Sequence, residues 1–182
     1  MRLFRVFVAQ AGARPRAPGH ALHIPAHRQG RGRIDNPDLY SVLYAADSPV
    51  GAIAEVFGDL TVWTDLMFEA GAGHVRALAE FQLDRERVCD LDDPHELVAR
   101  GLRPSRIITP DRETTRSWAR ALYEERRFAG ARWWSRYDSR WATVGLWKTS
   151  RLKLVRVERL HRAHPAVEEA AETLARTWRE DP

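Results

Sequence analysis

The chain has 182 residues and a formal net charge of +4, and 27 of its 29 basic residues are arginines. With 44% hydrophobic residues and 17 aromatic side chains it can bury a sizeable core, which excludes a disordered chain. No apolar run approaches the roughly 18 residues of a membrane span, and a lone cysteine excludes an internal disulfide and a cysteine-based zinc cluster.

The first third of the chain predicts a strand, a long loop and a strand–helix unit. Leu3 to Ala9 is rich in bulky and β-branched residues, which indicates a strand without the apolar stretch of a secretory signal. We therefore expect a cytoplasmic protein. Residues 10–40 are rich in proline and glycine and predict a loop of functional length. Val42–Ala46 is typical of a buried strand, and Ser48 followed by proline starts a helix over Val50–Phe57.

The remainder predicts alternating short strands and helices. For Trp63–Ala70 the sequence does not decide between a strand and a helix. Strands are expected at Val75–Leu83, Arg87–Leu91, Ala131–Ser135, Thr143–Trp147 and Leu154–Glu158, the first two joined by a turn at 84–86. Helices are expected from Asp93 to Gly101, from Asp111 to about Arg126, and finally over about 165–178. The pattern predicts one α+β domain over residues 1–182.

Three features of the first half could carry chemistry. The loop Arg28-Gln-Gly-Arg31-Gly-Arg33 alternates arginine with glycine, which suits close backbone approach and bidentate phosphate binding, although a solvated loop has the same composition. Tyr44 lies in the buried strand, either as a core residue or as a platform for a flat ring. Glu55 is the only charged residue of its helix and lies off the apolar stripe, either exposed or at the margin of a cleft.

In the second half, Trp133 and Trp134 precede Ser135 and Arg136. Together these residues could line a pocket for an aromatic, phosphorylated ligand. The alternative is an edge strand with core tryptophans. The loop histidines His20, His23 and His27 have no supporting scaffold, so we expect no metal site. We find neither a P-loop nor a GxGxxG turn after a strand.

In chain order, these segments resemble the RES domain family. The resembling pieces are Leu3–Val6, Gly32–Pro37 (GRIDNP), Val42–Ala46 (VLYAA), Ala52–Phe57 (AIAEVF), Gly130–Arg136 (GARWWSR) and Val144–Trp147 (VGLW). They supply the family's arginines, tyrosine, glutamate and serine in order, over about residues 3–157. The ordered set is more specific than any single piece.

The resemblance implies a fold similar to ADP-ribosyltransferase toxins and a toxin of a bacterial toxin–antitoxin pair. Such a protein consumes NAD as a substrate, with no prosthetic group, by cleaving the nicotinamide–ribose bond; water, inorganic phosphate or a protein accepts the ADP-ribose. The implied catalytic residues are Glu55, Tyr44 and Arg33. The implied NAD-binding residues are Arg5, Arg33, Tyr44, Ser135 and Arg136. The implied partner is an antitoxin with a helix-turn-helix region, which covers the active site.

The charge layout keeps other functions open. Residues 1–33 hold seven arginines and no acid, residues 34–97 carry a net charge of −11, and residues 98–182 carry +8. The main alternative is therefore a basic nucleic-acid-binding or RNA-cleaving domain with steep salt dependence. Because the arginines are spread among acids and no recognised motif occurs, we expect no direct nucleic-acid binding. A catalytically silent module that pairs with an antitoxin-like protein is a third hypothesis.

Overall fold

A mixed β-sheet organises the chain, whose residues 1–71 and 73–180 are described by a computed structural model. Its strands are β1 (Arg2–Ala9), β2 (Leu43–Ala46), β3 (Val62–Trp63), β4 (Val75–Leu83), β5 (Val88–Asp90), β6 (Gly130–Trp134), β7 (Ala142–Leu146), β8 (Leu152–Arg159) and β9 (Thr177–Trp178). Seven strands form one sheet in the order β5-β6-β7-β2-β1-β4-β8, and β3 pairs with β9 in a second, two-stranded sheet. The predicted α+β class is confirmed.

The helices pack on the outer face of this sheet. They are α1 (Pro49–Phe57), α2 (Pro94–Val98), α3 (Pro104–Ile107), α4 (Arg112–Glu124) and α5 (Pro165–Thr173), and 3₁₀ turns cover Ala26–Arg28 and Asp65–Phe68. Within the described ranges, no helix has the length and apolar character needed to cross a membrane.

The strand–helix unit that carries Glu55 folds as its local signals predict. The Ser48 hydroxyl accepts a hydrogen bond from the backbone N–H of Gly51 at 2.9 Å, and proline follows at the first helical position. The apolar stripe of α1, from Val50 through Ile53 to Phe57, is buried against the sheet. The helix is therefore fixed in rotation, which determines the direction in which Glu55 points.

The sheet curls around an inner core and carries two further cores on its outer face. The inner core combines Phe81 of β4 with Val144 of β7, although two strands lie between β4 and β7 in the sheet. On the outer face, α1 and α5 enclose one core around Ile53, and α2, α3 and α4 enclose the other around Trp133. The period of two along β2 and β7 places Tyr44 and Thr143 on this outer face, beside α1.

One predicted element needs correction, and the structure adds two features that the sequence did not predict. The last helix does not run to Trp178 but ends at Thr173, because Ala175 adopts a left-handed φ of 51° and the Arg176 N–H bonds back to the Ala171 carbonyl. Strands β4 and β5, although joined by a short turn, do not pair with each other: β4 pairs with β1 and β8, and β5 pairs with β6. The short helix α3 was not predicted.

Candidate active site

A cleft opens where β1 and β2 separate. Phe4 and Ala46 form the one residue pair recorded between these strands in the described chain, whereas β1 pairs with β4 along its whole length. Beyond that pair, residues of both strands, including Arg5 and Tyr44, line a cavity of about 430 Å³. The long loop and α1 close its other sides, so a ligand in the cavity would meet strand edges, loop and helix together.

Glu55 reaches from α1 to two hydroxyl groups on the sheet. Its Oε1 accepts hydrogen bonds from Ser135 Oγ at 2.7 Å and from Thr143 Oγ1 at 3.0 Å. Thr143 lies in β7 and Ser135 follows β6 directly, so neighbouring strands hold the carboxylate. Glu55 lines the cavity and is exposed to solvent, and its hydrogen bonds within the described residues all use Oε1. Oε2 is the oxygen available to a ligand.

The Tyr44 side chain is anchored by the preceding loop. Its hydroxyl donates to Asp35 Oδ1 at 2.7 Å and accepts from the Ile34 N–H at 3.1 Å. Burial, reinforced by the Asp35 carboxylate, raises the pKa of Tyr44 and keeps the phenol protonated. Its ring meets that of Trp133 edge-on, with centroids 6.5 Å apart. Since the loop satisfies the hydroxyl, the ring is the part of Tyr44 that the cavity can use.

Asp35 organises the glycine-rich part of this loop. Its Oδ2 accepts hydrogen bonds from three consecutive N–H groups, those of residues 30, 31 and 32, at 2.8, 3.0 and 2.7 Å. A Cβ on Gly32 would lie 2.1 Å from the Tyr44 hydroxyl, and one on Gly145 would lie 2.3 Å from Ile34 Cδ1. Glycine at both positions lets the loop lie directly on the sheet. Asp35 was not singled out from the sequence, where it is one acid among fourteen in its segment.

Three arginines line the cavity: Arg5, Arg28 and Arg31. The Arg5 guanidinium donates to the carbonyls of Ala21 and His23 at 2.7 and 2.9 Å. Burial, with the nearby Arg28 charge, lowers the pKa of Arg5 to about 10, so it stays charged at neutral pH. Arg28 and Arg31 are exposed, and within the described chain neither forms an ion pair with a carboxylate. The cleft therefore carries positive charge that its own acids do not pair.

Arg33, unlike these three arginines, lies outside the cavity lining. Its guanidinium donates to the carbonyls of Ile107 at 2.5 Å and Thr109 at 2.7 Å. Burial, followed by the nearby Arg112 charge, lowers the pKa of Arg33. Arg33 thus ties the loop to the segment after α3. The alternation of arginine with glycine points to Arg28, Arg31 and Arg33 alike, and the motif resemblance to Arg5 and Arg33; of these four, the structure places all but Arg33 at the cavity.

Ser135 and Arg136 lie outside the cavity wall. Ser135 is only 4% exposed, and its hydroxyl both donates to Glu55 and accepts from the Tyr137 N–H at 3.2 Å. Arg136 is exposed, pairs with Asp59, and lies over the Tyr137 ring. Ser135 is therefore brought to Glu55, behind its carboxylate, while Arg136 faces solvent beside it. Thr143, which lines the cavity, was not predicted, because one threonine in an apolar strand gives no sequence signal.

The arrangement offers one carboxylate oxygen, an aromatic ring and unpaired cations around a single cavity. It suits a ligand that carries negative charge at one part and positive charge, present or developing, at another. Across residues 1–71 and 73–180, no three His, Cys, Asp or Glu side chains form a group that could hold a metal ion.

Comparison with known proteins gives a family match and similar solved structures. A family model described as RES domain matches residues 2–166. No curated protein sequence matches the chain. A chain in the crystal structure of the M. tuberculosis MbcT–MbcA toxin–antitoxin complex is similar, with a TM-score of 0.67 and 20% sequence identity over 93% of this chain and 88% of that chain. At this identity the similarity concerns the fold, which agrees with the α+β architecture described above.

Proposed function

Because the chain belongs to the RES domain family, we propose that it is an NAD-consuming toxin held in check by an antitoxin protein. The observation that carries this proposal is the position of Glu55, which lines a cleft with three arginines and whose Oε1 alone accepts hydrogen bonds within the described residues, leaving Oε2 for a ligand. NAD matches that distribution of charge, since its diphosphate is anionic and its nicotinamide ring is cationic. We place the enzyme in the cytoplasm, where its substrate is found.

The proposed reaction breaks the bond between the nicotinamide nitrogen and ribose C1′. The electron pair of that bond goes to the nicotinamide nitrogen, which neutralises the ring, while C1′ gains oxocarbenium character. The Glu55 carboxylate stabilises the developing positive charge through Oε2. An acceptor oxygen then bonds to C1′, and any proton it carries passes to solvent. Water, inorganic phosphate and a protein side chain would give free ADP-ribose, its phosphate ester and a modified protein, respectively.

The remaining residues bind and orient the substrate in this proposal. Arg28 and Arg31, together with Arg5, are available for the diphosphate because they line the cavity. The Tyr44 ring packs against the nicotinamide or its ribose. Arg33 acts through the loop, because its guanidinium is bonded to backbone carbonyls.

The proposed partner is an antitoxin that carries a helix-turn-helix region and covers the cleft. The support is the structural relative, which was crystallised as a toxin–antitoxin complex. Co-expression with the product of the adjacent reading frame tests this part. We expect a stable complex that leaves NAD intact, and a neighbouring protein that neither binds nor protects NAD would contradict it.

The decisive experiment for the reaction is incubation of the purified chain with NAD, with and without phosphate, followed by mass analysis of small molecules and proteins. We expect free nicotinamide in every case, and the mass of the ADP-ribose product identifies the acceptor. If NAD stays intact under both conditions and no protein gains an ADP-ribose group, the proposed reaction is wrong.

A further inference from the structure

Thr143 is a buried hydroxyl residue that lines the cavity but plays no part in the family motif quoted above. It is 7% exposed, and its Oγ1 donates to Glu55 Oε1 at 3.0 Å. We infer that Thr143 is a positioning residue that aims the free oxygen of Glu55 into the cleft. This inference rests on the proposed cleavage of NAD at Glu55.

The placement of Thr143 follows from the register of the sheet. In β7 it lies opposite Ala46 of β2 and opposite Trp133 of β6, on the face that α1 covers. A valine would satisfy the strand equally well, because valine is β-branched, favours strands and has nearly the same shape. The hydroxyl is therefore not required by the local structure, and Glu55 is the hydrogen-bond acceptor recorded for it in the described chain.

Two donors on one oxygen restrict a carboxylate more than one donor does. The last torsion of a glutamate side chain has broad minima, so a carboxylate held by a single hydrogen bond can turn about that bond. Here the second donor comes from another strand: Ser135 follows β6, whereas Thr143 lies within β7. Since both donors bond to Oε1, the direction of Oε2 is set by the sheet.

Ser135 and Thr143 are not equivalent in this arrangement. The Ser135 hydroxyl is itself oriented by the Tyr137 N–H, and it lies outside the cavity wall. Thr143 lines the cavity and is the second donor to Oε1, so loss of its hydroxyl would let the carboxylate turn about the remaining bond to Ser135. Since rate depends steeply on the placement of the reacting groups, we expect the effect to fall on turnover rather than on substrate binding.

The test compares Thr143→Val with Thr143→Ser, and uses Thr115→Val as the matched control. Thr115 is fully buried, and its hydroxyl donates to the Arg112 carbonyl, away from the cavity lining. We expect Thr143→Val to lower kcat for NAD about 10- to 100-fold with little change in KM, as for the loss of one hydrogen bond to a charged group. Thr143→Ser restores most of kcat, and Thr115→Val leaves it unchanged.

A readout that is independent of activity separates this inference from the proposed function. In a crystal structure of Thr143→Val, we expect the Glu55 carboxylate to turn away from its wild-type direction or to occupy several conformations. A carboxylate that keeps one wild-type conformation overturns the inference, even if the wild-type chain proves inactive on NAD. An unchanged kcat in Thr143→Val also overturns it, as does a Thr143→Ser variant no better than the valine variant.

Discussion

Replacing Gly32 with alanine perturbs the contact between the arginine loop and the cleft wall. The added Cβ would lie 2.1 Å from the Tyr44 hydroxyl oxygen, 2.6 Å from its Cζ atom and 2.8 Å from Asp35 Oδ1. Non-bonded heavy atoms rest at about 3.5–4.0 Å, so either the ring or the loop must move by about 1 Å or more. Neither can do so without losing the bonds between Tyr44 and the loop, at 2.7 Å to Asp35 and 3.1 Å to Ile34.

The size of the effect follows from these contacts. Losing the hydrogen bond to the Asp35 carboxylate costs about 1.5–3 kcal/mol, and overpacking adds about 1–3 kcal/mol. We therefore expect a loss of about 2.5–6 kcal/mol in the free energy of unfolding, or roughly 5–24 °C in Tm for a chain of this size. NAD cleavage should fall as well, because the displaced Tyr44 ring leaves the cavity wall.

Thermal unfolding of wild type, Gly32→Ala and Gly12→Ala measures this difference. Gly12 has a φ of 72° and no atom within 4 Å of an added Cβ, so alanine there should cost only the backbone strain of about 1–2 kcal/mol. Repeating Gly32→Ala in a Tyr44→Phe background should give a smaller penalty, because the closest atom is gone. If Gly32→Ala melts no lower than Gly12→Ala, the loop does not lie on Tyr44 as described.

Two further predictions concern the arginines of the loop and the cap of α5. Arg33→Met should lower the free energy of unfolding by about 2–4 kcal/mol, because it leaves backbone carbonyls without a hydrogen-bond donor. Arg31→Met should change the free energy of unfolding by no more than about 0.5 kcal/mol. It should instead weaken NAD binding, which calorimetry measures in a Glu55→Gln background. Equal effects on Tm would refute this division. Burial lowers the pKa of His164, outweighing the nearby Glu158, and neutral His164 caps α5 by accepting from the Ala166 N–H at 3.2 Å. The unfolded state therefore binds more protons, so Tm should fall as the pH drops below about 6.5. The contribution of His164 to the free energy of unfolding that is lost in this way is up to about 1 kcal/mol. The variant His164→Asn keeps the cap and should abolish this contribution to the pH dependence.

Where the signal was local, the sequence predicted the structure well. Ser48, the following proline and the apolar stripe predicted α1 closely, because capping and periodicity lie within a few residues of each other. The predicted end of the last helix is wrong because no local residue type marks it. Its end is set by Ala175 in a left-handed conformation, where a glycine would have signalled termination, and Trp178 instead packs edge-on against the distant Trp63 at 5.6 Å.

The candidate site was predictable by residue type but not by detailed role. The motif order indicated Glu55, Tyr44 and Ser135, and the fold brings all three to the same region. Which arginine faces the cavity depends on how the loop lies across the sheet. That depends on Gly145 and on the Asp35 carboxylate, contacts that span many residues of sequence.

The uneven charge of the chain also has a structural explanation. Several of the seven arginines in residues 1–33 are engaged within the protein: Arg2 pairs with Glu80, while Arg5 and Arg33 bind backbone carbonyls. They do not form the continuous exposed surface that a nucleic-acid-binding domain would use. At the cleft, the exposed Arg28 and Arg31 supply local positive charge for a ligand, beside the buried charge of Arg5.

The most direct test of the central claim is NAD loss over time with wild type, Glu55→Gln and Glu168→Gln. Each substitution removes one negative charge from an exposed position on a nine-residue helix, but only Glu55 lines the cleft. We predict that Glu168→Gln consumes NAD at the wild-type rate and that Glu55→Gln, folded with an unchanged Tm, is slower by at least about 100-fold. Wild-type NAD consumption by folded Glu55→Gln would contradict this prediction.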